Sequence, residues 1–454
     1  MIHAFQAGND YIALDVESGA IHIVDEMVYD IIQAQQQGMA MEAIVDRLQE
    51  KYPSHELQEA LQELQQSKNA GEWDTPEQKY VPLQGDPVVK AMCLHIAHDC
   101  NLRCRYCFAS DGEYKSGRSL MPLQVGKKAL DFLIAHSGNR RHLEVDFFGG
   151  EPLMNLDVVK ALVAYGRKLE TEYHKEIAFT ITTNGLLIDD DFIDFCDREI
   201  HNVVLSIDGR QKVHNAMRRV VNGKGSFEYV FPKAKKLALA RQEKGQNYYV
   251  RGTFTRENLD FAKDVLFLAD EGFEQISIEP VVLPQNDPLA LCDKDLPAIR
   301  EEYRRLAKEY IVRRKNEHTW FNFFHFMMDL QEGPCVAKKM SGCGAGNDYV
   351  AVTPQGDVYP CHQFVGQTEF KMGNVITGEF NTRSQKEFRN CHICSKDTCR
   401  TCWAKYYCSG GCAANAMNFN GSIYAPYALA CEMQKNRIEE ALSIYIQENF
   451  TSEA

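Results

Sequence analysis

Apolar residues follow two alternating patterns through the middle of the chain. Short continuous apolar runs, typical of buried strands, predict strands at residues 91–96, 143–148, 178–182, 203–207, 248–254 and 275–279. Between them, apolar positions recur every three or four residues, for example over 124–135 and 158–172, which predicts amphipathic helices. Six strand–helix units predict a parallel sheet, and six are too few to close an eight-stranded barrel.

The first 80 residues follow another pattern. Two strands are predicted at residues 11–16 and 20–24 around a Glu-Ser-Gly turn, and helical periodicity follows over 26–34, 40–51 and 54–67. The strand at 20–24 is expected to lie at an edge, where a peptide can add by main-chain hydrogen bonds. Polar residues with several Pro and Gly predict a linker over 69–87.

Composition narrows the class of protein. The 454 residues suffice for two or three domains. A net charge of −13 gives no support to binding of nucleic acid or of an anionic membrane surface. The longest apolar runs are too short to span a membrane. The N-terminal residues lack a basic region followed by an apolar core, so we expect no signal peptide and a cytoplasmic location.

Cysteine is frequent, with 16 residues, ten of them from Cys335 onward. A cytoplasmic location disfavours disulfides, so clustered cysteines indicate metal binding. The isolated Cys93, Cys196 and Cys292 are expected to be small buried apolar residues. The chain is therefore predicted to have a second centre of metal chemistry near its C-terminal end.

The first cluster of cysteines directly follows the first predicted barrel strand. Cys100, Cys104 and Cys107 have the spacing C-x3-C-x2-C, which supplies three thiolates from one loop. A [4Fe–4S] cluster needs four iron ligands, so this loop would leave one iron open for a small molecule. A zinc knuckle or three buried thiols is the alternative, but zinc prefers four closed ligands in CxxC pairs.

This motif is the one that radical S-adenosylmethionine (SAM) enzymes carry, and residues 91–282 resemble that superfamily. The resemblance implies an α/β fold with an open, partial (β/α)6 barrel and SAM at the carboxyl ends of its strands. It also implies that the open iron chelates SAM. Electron transfer would then cleave SAM to a 5'-deoxyadenosyl radical, which abstracts hydrogen from the substrate.

Candidate contacts to SAM follow successive predicted strands. The second strand ends in Gly149-Gly150-Glu151-Pro152, and the resemblance implies that this segment receives the amino group of SAM. Two glycines let the backbone approach a ligand closely. Each further candidate alone is more typical of scaffold, but together they occupy strand ends or the cysteine loop on one face, where a barrel site lies. These further candidates are Asn184, Ser206 and Arg251 for the ribose or carboxylate, and Tyr106 and Phe108 near the adenine.

The C-terminal cysteines form a second set of motifs. Cys343, Gly356 and Cys361 complete a C-x12-G-x4-C pattern, and a C-x2-C-x5-C-x3-C run from Cys399 and a final Cys431 follow. The pattern resembles a seven-cysteine SPASM domain. That resemblance implies two auxiliary [4Fe–4S] clusters, and so three clusters in all. One or two zinc sites are the alternative, because CxxC pairs also suit zinc.

The resemblance also implies how these cysteines divide. The second auxiliary cluster would be held by Cys399, Cys402, Cys408 and Cys431. The first would be held by Cys343, Cys361 and Cys412. Its fourth ligand stays open between Cys335 and a thiolate of the substrate. Cys391 and Cys394 are either additional residues or competing ligands.

His362 follows Cys361 at a position where the related anaerobic sulfatase maturases have an acidic residue that acts as a base. A histidine can accept a proton near neutral pH or orient the substrate, so His362 is the candidate catalytic residue. The replacement weakens the case for oxidation of a Cys or Ser side chain to formylglycine.

Three parts are expected along the chain: a winged-helix-like domain for leader-peptide recognition at 1–80, the barrel at 88–310 and the SPASM domain at 320–454. The N-terminal pattern resembles the recognition domain of maturases of ribosomally made peptides, and a capping domain without ligand is the alternative. The whole chain most resembles maturases that form sulfur-to-α-carbon thioethers in Cys-rich peptides, those of six-cysteine (SCIFF) peptides above all. Residues 342–346 and 360–366 carry much of that likeness.

This resemblance implies a precursor peptide bound through its leader and an external electron donor. A substrate Cys thiolate would bind the first auxiliary cluster while hydrogen is abstracted from the α-carbon of an acceptor residue, for which Thr is proposed. Two alternatives stay open. One is another SPASM reaction, such as formylglycine formation or carbon–carbon crosslinking, and the other is a non-enzymatic iron–sulfur scaffold or redox sensor.

Overall fold

The computed structural model describes residues 1–77, 85–328 and 336–450. Its N-terminal part is a three-stranded antiparallel sheet in the order β1-β2-β3, followed by three helices. The elements are β1 (Ile2–Ala7), β2 (Asp10–Asp15), β3 (Ile21–Val24), α1 (Glu26–Gln36), α2 (Met41–Leu48) and α3 (Ser54–Ala70). The sequence did not predict β1, because its residues show no clean alternation. Antiparallel pairing with β2, from Ile2 opposite Asp15 onward, makes it a strand.

The middle of the chain forms the α/β barrel sheet. Its elements are β4 (Ala91–His98), β5 (Leu102–Cys104), β6 (Ser119–Leu120), α4 (Leu123–His136), β7 (His142–Gly149), α5 (Leu156–Tyr173), β8 (Glu176–Thr183), α6 (Asp190–Glu199), β9 (Asn202–Ser206), α7 (Gln211–Met217), β10 (Arg218–Val220), α8 (Phe227–Glu243), β11 (Asn247–Phe254), α9 (Ala262–Asp270), β12 (Gln275–Pro280), α10 (Leu296–Arg314) and β13 (Asn322–Phe323). Strands β4, β7, β8, β9, β11 and β12 are parallel neighbours in that order, which confirms the six predicted strands. Strand β13 extends this sheet just past residue 320, where the third domain was expected to begin.

The C-terminal part mixes short strands and helices. Its elements are α11 (Val336–Ser341), β14 (Tyr349–Val352), β15 (Asp357–Tyr359), β16 (Gly373–Asn374), β17 (Glu379–Phe380), α12 (Thr382–Arg389), α13 (Asp397–Arg400), α14 (Lys405–Cys408), α15 (Ala413–Asn420) and α16 (Ala428–Asn449). Strands β14 to β17 form an antiparallel meander. Strand β14 also pairs in parallel with β4, from Tyr349 opposite Ala91 to Val352 opposite Leu94. The meander therefore continues the barrel sheet.

Strand β4 is the centre of this continuous sheet. It has β7 on one side and β14 on the other, and all eight of its residues are buried. A parallel strand that is covered on both faces is expected to be apolar nearly throughout, which agrees with its sequence. The cysteine loop that follows β4 is thus held between the barrel and the C-terminal meander.

The N-terminal sheet packs on the C-terminal part of the chain. Phe5, Ile12 and Leu14 form a buried cluster with Ala404 and with Leu442 of α16. The predicted linker begins later than expected, because α3 continues to its end at residue 70. The linker residues 78–84 lie outside the described residues. Within the described residues, no helix combines the length and apolar character needed to cross a membrane.

Candidate active site

The three cysteines of the C-x3-C-x2-C motif lie in the loop after β4. Cys104 ends β5, which pairs with β10 so that Cys104 lies opposite Arg218. Cys107 donates its backbone N–H to the Cys104 carbonyl at 3.1 Å and closes a turn. Burial raises the pKa of Cys100 and of Cys104 to about 12, and neighbouring thiols of the loop add to both rises. The loop therefore holds the three thiols within electrostatic range of one another.

Gly149 lies against the main chain at the end of β4, and Gly150 lies against the start of the cysteine loop. A Cβ on Gly149 would lie 2.3 Å from the carbonyl oxygen of Ala97, and one on Gly150 would lie 2.1 Å from that of Asp99. The Gly150 N–H donates to the Ala97 carbonyl at 2.8 Å. The end of β4 and the start of the loop therefore require the two glycines. This reason differs from the ligand approach that we expected from the sequence.

Glu151 is fully buried and its carboxylate is bonded within the protein. One oxygen accepts from the Leu153 N–H at 3.0 Å and from the Thr183 hydroxyl at 2.8 Å. The other accepts from the Asn184 N–H at 2.8 Å. Burial raises the pKa of Glu151 to about 7. These contacts join the glycine turn to the end of β8 and give Glu151 a positioning role.

The other candidate SAM contacts lie on neighbouring strands. Asn184 follows β8, and its side-chain amide lies 2.7 Å from Asn101 Oδ1 and 3.6 Å from the sulfur of Cys100. Ser206 ends β9 and lies opposite Arg251 of β11. The side chain of Arg251 is more than half exposed. The structure thus brings the end of β8 into contact with the cysteine loop and places the other two side by side.

Two residues that sequence reasoning missed hold Tyr106 in place. The Tyr106 hydroxyl donates to both carboxylate oxygens of Asp208 at 2.8 Å. Arg218 Nε donates to the same carboxylate at 3.1 Å, and its guanidinium lies 5.6 Å from the Tyr106 ring centroid. Asp208 is fully buried. The available signal was a carboxylate directly after a barrel strand.

The C-terminal meander brings His362 to the cysteine loop. The His362 ring centroid lies 5.5 Å from that of Phe108, which is 48% exposed, and 5.2 Å from that of Phe148. Burial and, to a smaller extent, the cation of Arg251 together lower the pKa of His362 to about 4. A neutral imidazole with so low a pKa is a weak base. The geometry favours the orienting role of the two expected for His362.

A buried histidine pair on β4 was also missed. His95 Nδ1 lies 2.9 Å from His98 Nε2, and His98 Nδ1 lies 2.7 Å from the hydroxyl of Ser116. Both rings are fully buried. Two histidines within an otherwise apolar strand were the signal. The pair fixes the end of β4 from which the cysteine loop departs.

Seven C-terminal thiols form two groups. Burial raises the pKa of five of them, and thiols of the same group add to each rise; the five are Cys361, Cys412, Cys399, Cys408 and Cys431. One group consists of Cys343, Cys361 and Cys412. The other consists of Cys399, Cys402, Cys408 and Cys431. This arrangement supports the division into two ligand sets.

The cysteines outside the barrel loop and the two C-terminal groups have other surroundings. Cys391 is buried, and its thiol donates to the Ile423 carbonyl at 3.2 Å. Cys394 is half-buried beside Met340 and Tyr406. Cys335, the candidate fourth ligand, lies outside the described residues. The isolated cysteines differ too, since residues 93 and 196 are buried and residue 292 is partly exposed.

The thiol groups have the chemistry that iron–sulfur clusters require. Among the described residues, no three His, Cys, Asp or Glu side chains are arranged to hold a metal ion. A cluster binds each thiolate through a different iron, so its ligands are spread more widely than those of one ion. The loop of three thiols and the two C-terminal groups fit such clusters.

Two segments match known protein families. Residues 94–266 match the radical SAM superfamily. Residues 343–403 match SPASM, described as an iron–sulfur cluster-binding domain. The first match covers the cysteine loop, the glycine turn and the barrel strands up to β11, and the second covers the meander and the first cysteines after it.

Curated relatives match over most of the chain. A cysteine-type anaerobic sulfatase-maturating enzyme of Clostridium novyi is 26% identical over 368 residues, which are 76% of this chain and 93% of that protein. Mycofactocin maturase MftC of Mycolicibacterium smegmatis is 26% identical over 333 residues, covering 71% of this chain and 78% of that protein.

Solved structures share the fold. Native anSMEcpe with bound AdoMet and Kp18Cys peptide superposes with a TM-score of 0.65 at 20% identity, covering 79% of this chain and 99% of that one. Streptococcus suis SuiB bound to precursor peptide SuiA gives a TM-score of 0.52 at 17% identity, covering 93% of this chain and 97% of that one.

The chain therefore combines a radical SAM domain with a C-terminal SPASM domain, as its cysteine spacings predicted. It is a radical SAM enzyme with a SPASM domain, and the curated relatives that it resembles are maturases. This confirms SAM and iron–sulfur clusters as its cofactors, one cluster in the barrel and additional clusters in the SPASM domain.

Proposed function

We propose that this enzyme forms thioether links between Cys sulfur and an α-carbon in a Cys-rich ribosomally made peptide, with Thr as the proposed acceptor residue. The observation that carries the proposal is the pairing of β14 with β4. This pairing holds Cys361 and His362 beside the barrel loop that carries the radical SAM cysteines. A substrate thiol held at the group of Cys361 and an α-carbon held at the barrel loop would then lie on neighbouring parts of one site.

The cysteines of the barrel and those of the C-terminal part have different proposed roles. The cluster in the barrel would be held by Cys100, Cys104 and Cys107, and the two auxiliary clusters would be held by the two C-terminal groups of cysteines. When bound, SAM and these clusters supply a radical that takes one hydrogen atom and an acceptor for one electron. Each thioether removes a hydrogen atom from the α-carbon, a proton from the thiol and one electron, which balances the two hydrogens lost.

The side chains of the barrel keep this geometry fixed. Glu151 and the Asp208–Tyr106 contact anchor the cysteine loop at two neighbouring strand ends. The half-exposed Phe108 and the neutral His362 would orient the peptide between the barrel and the meander. Serine and arginine at residues 206 and 251 stay the candidates for holding SAM.

The N-terminal unit is proposed to bind the leader. Strand β3 pairs with β2 along one edge, and within the described chain no strand pairs with its other edge. A leader strand added there would raise the local concentration of the core peptide. SuiB, which has been solved with precursor peptide SuiA, aligns with 93% of this chain, and this supports an N-terminal unit with that role.

Formylglycine formation is the second candidate, because sulfatase-maturating enzymes are among the relatives. The solved anSMEcpe chain aligns with 79% of this chain. A reaction on a sulfatase would not need a leader-binding unit. Histidine in place of the acidic residue after Cys361 also argues against it.

The test is anaerobic incubation of the reconstituted enzyme with a SCIFF-type peptide, SAM and a reductant, followed by mass spectrometry. Loss of two hydrogens per link, thiols masked from alkylation and an α-carbon linkage on fragmentation are expected. A leaderless peptide is the matched control, and it should react more slowly. Deoxyadenosine without any change in the peptide would reject this substrate. An undiminished rate on the leaderless peptide would reject the docking role.

A further inference from the structure

A buried lysine, Lys396, lies in the C-terminal segment that carries the two groups of cysteines. Lys396 precedes α13, three residues before Cys399, and only 3% of it is exposed. Its amine donates to the Gly410 carbonyl at 2.7 Å. Its backbone carbonyl accepts from the Cys399 N–H at 2.9 Å. Both ends of Lys396 are thus fixed beside predicted cluster ligands.

The amine lies between the two auxiliary ligand sets. Gly410, its hydrogen-bond partner, is flanked in sequence by Cys408 of the second set and by Cys412 of the first. The Lys396 carbonyl, in turn, accepts from the N–H of Cys399, a predicted ligand of the second set. One ammonium group is therefore bonded to the short segment that joins a ligand of the second set to a ligand of the first.

The surroundings of this cation contain no obvious counter-charge. Among the described residues, no carboxylate forms an ion pair with Lys396. An ammonium group taken out of water without an opposite charge is strongly unfavourable. The groups near it that can become anionic are cysteine thiols. One is Cys391, whose side chain bonds to the Lys396 amine, and another is the predicted ligand Cys399, which loses its proton when it binds iron.

We propose that Lys396 is the shared counter-charge of the two auxiliary clusters and raises the reduction potential of both. Reduction adds negative charge to a cluster, and a buried cation nearby favours the more negative state. The peptide must lose one electron for each thioether. Lys396 thereby favours uptake of that electron by the SPASM domain. The inference rests on the ligand sets proposed above and not on the thioether reaction itself.

A purely structural role is the competing explanation. The Lys396 amine also holds the turn at residues 409–411, where Ser409 has a φ of +59° and Gly410 a φ of +88°. Lys396→Gln separates the two roles, because glutamine keeps an N–H donor for the Gly410 carbonyl and removes the charge. Lys396→Arg keeps the charge.

The experiment is a redox titration of the reconstituted protein, followed by electron paramagnetic resonance without peptide. The parent, Lys396→Gln, Lys396→Arg and Lys435→Met are compared. Lys435 is the matched control, because its amine lies near Cys402 and Cys431 but is partly exposed and is paired with Glu432 at 2.8 Å. The barrel cluster, which lies outside both sets, is the internal reference.

Lys396→Gln is expected to shift the reduction equilibrium of both auxiliary clusters at least tenfold toward the oxidised form, about 59 mV for one electron. Lys396→Arg should stay near the parent, and Lys435→Met should shift the second cluster alone and by less. Unchanged potentials in Lys396→Gln, or an equal shift in Lys396→Arg, would overturn the proposal.

The iron content of each variant distinguishes failure of the counter-charge proposal from failure of the ligand sets or of the thioether reaction. If Lys396→Gln binds less iron than the parent, the Lys396→Arg variant decides between the two roles. Parental iron content and potentials in Lys396→Arg would support the counter-charge role, and a continued loss of iron would refute it. Loss of iron in cysteine variants outside the predicted sets would refute the ligand sets. Absence of thioether in the parent enzyme would refute the reaction and leave the potentials meaningful.

Discussion

The N-terminal sheet is tied to the C-terminal segment by a buried ion pair, and Glu17→Gln tests how strongly. Lys405 Nζ lies 2.6 Å from Glu17 Oε1, and the two side chains are 3% and 2% exposed. The Tyr406 hydroxyl donates to the other oxygen of Glu17 at 2.7 Å. Glu17 lies in the turn between β2 and β3, whereas Lys405 lies between Cys402 and Cys408.

The expected effect is large because the partner charge stays buried. Removing one member of a buried pair costs about 3–5 kcal/mol. Glu77 lies 3.7 Å from the Lys405 amine but its side chain is 66% exposed, so it compensates weakly. Glutamine also retains an acceptor for the Tyr406 hydroxyl. We therefore expect Glu17→Gln to lower the free energy of unfolding by about 3 kcal/mol, at the lower end of that range.

The assay is denaturant unfolding followed by tryptophan fluorescence. Trp73 and Trp403 line one cleft of about 580 Å³ between the N-terminal unit and the C-terminal segment, so their emission reports this junction. His3 stacks on Trp403 with ring centroids 3.8 Å apart. The matched control is Glu26→Gln, which removes an ion pair to Lys51 whose side chains are about half exposed. The control should change stability by at most about 1 kcal/mol.

A double-mutant cycle completes the test. Lys405→Met in the Glu17→Gln background removes the second buried charge. It should recover stability, with a coupling energy of at least about 2 kcal/mol. Additive effects, or a Glu17→Gln variant no less stable than the control, would show that this pair does not hold the two parts together.

Three further predictions concern the site and its surroundings. Gly150→Ala places a Cβ 2.1 Å from a carbonyl oxygen of the cysteine loop and should lower deoxyadenosine formation about 100-fold, whereas Gly117→Asn, with open space around it, should not. Burial raises the pKa of Glu440 from 4.5 to about 7, so folding favours its protonated form and stability falls as pH rises through that range. Glu440→Gln should therefore gain up to about 3 kcal/mol in denaturant unfolding at pH 8 and nothing at pH 4, and equal gains at both would contradict it. Cys431→Ala should remove about four irons per chain on iron analysis, and Cys391→Ala should remove none.

Much of the chemistry and of the barrel was readable from the sequence. Three thiols within eight residues come from one short segment, and their spacing together with the later motifs indicated a cluster with an open iron. The barrel strands were also local signals, since each is a short apolar run between helical periods. Strand β1 was missed because pairing with β2, and not its own pattern, makes it a strand.

What the tertiary structure decided depends on contacts between distant residues. Tyr349 pairs with Ala91 across more than 250 positions, and no local pattern indicates that the C-terminal meander continues the barrel sheet. The glycines of the β7 turn were assigned to ligand approach, and packing adds a second requirement, since a Cβ on either would meet a carbonyl oxygen of β4 or of the cysteine loop.

Buried charges show the same division. Nothing in the local sequence distinguishes Lys396 and Lys405 from exposed lysines. Packing in the folded chain buries both side chains and places them near cysteines. The sequence by itself determined which cofactors the protein binds, because the chemistry that binds them resides in residue type and spacing. The tertiary structure decided how those ligands face one another and which charges surround them, because burial and long-range pairing belong to the whole fold.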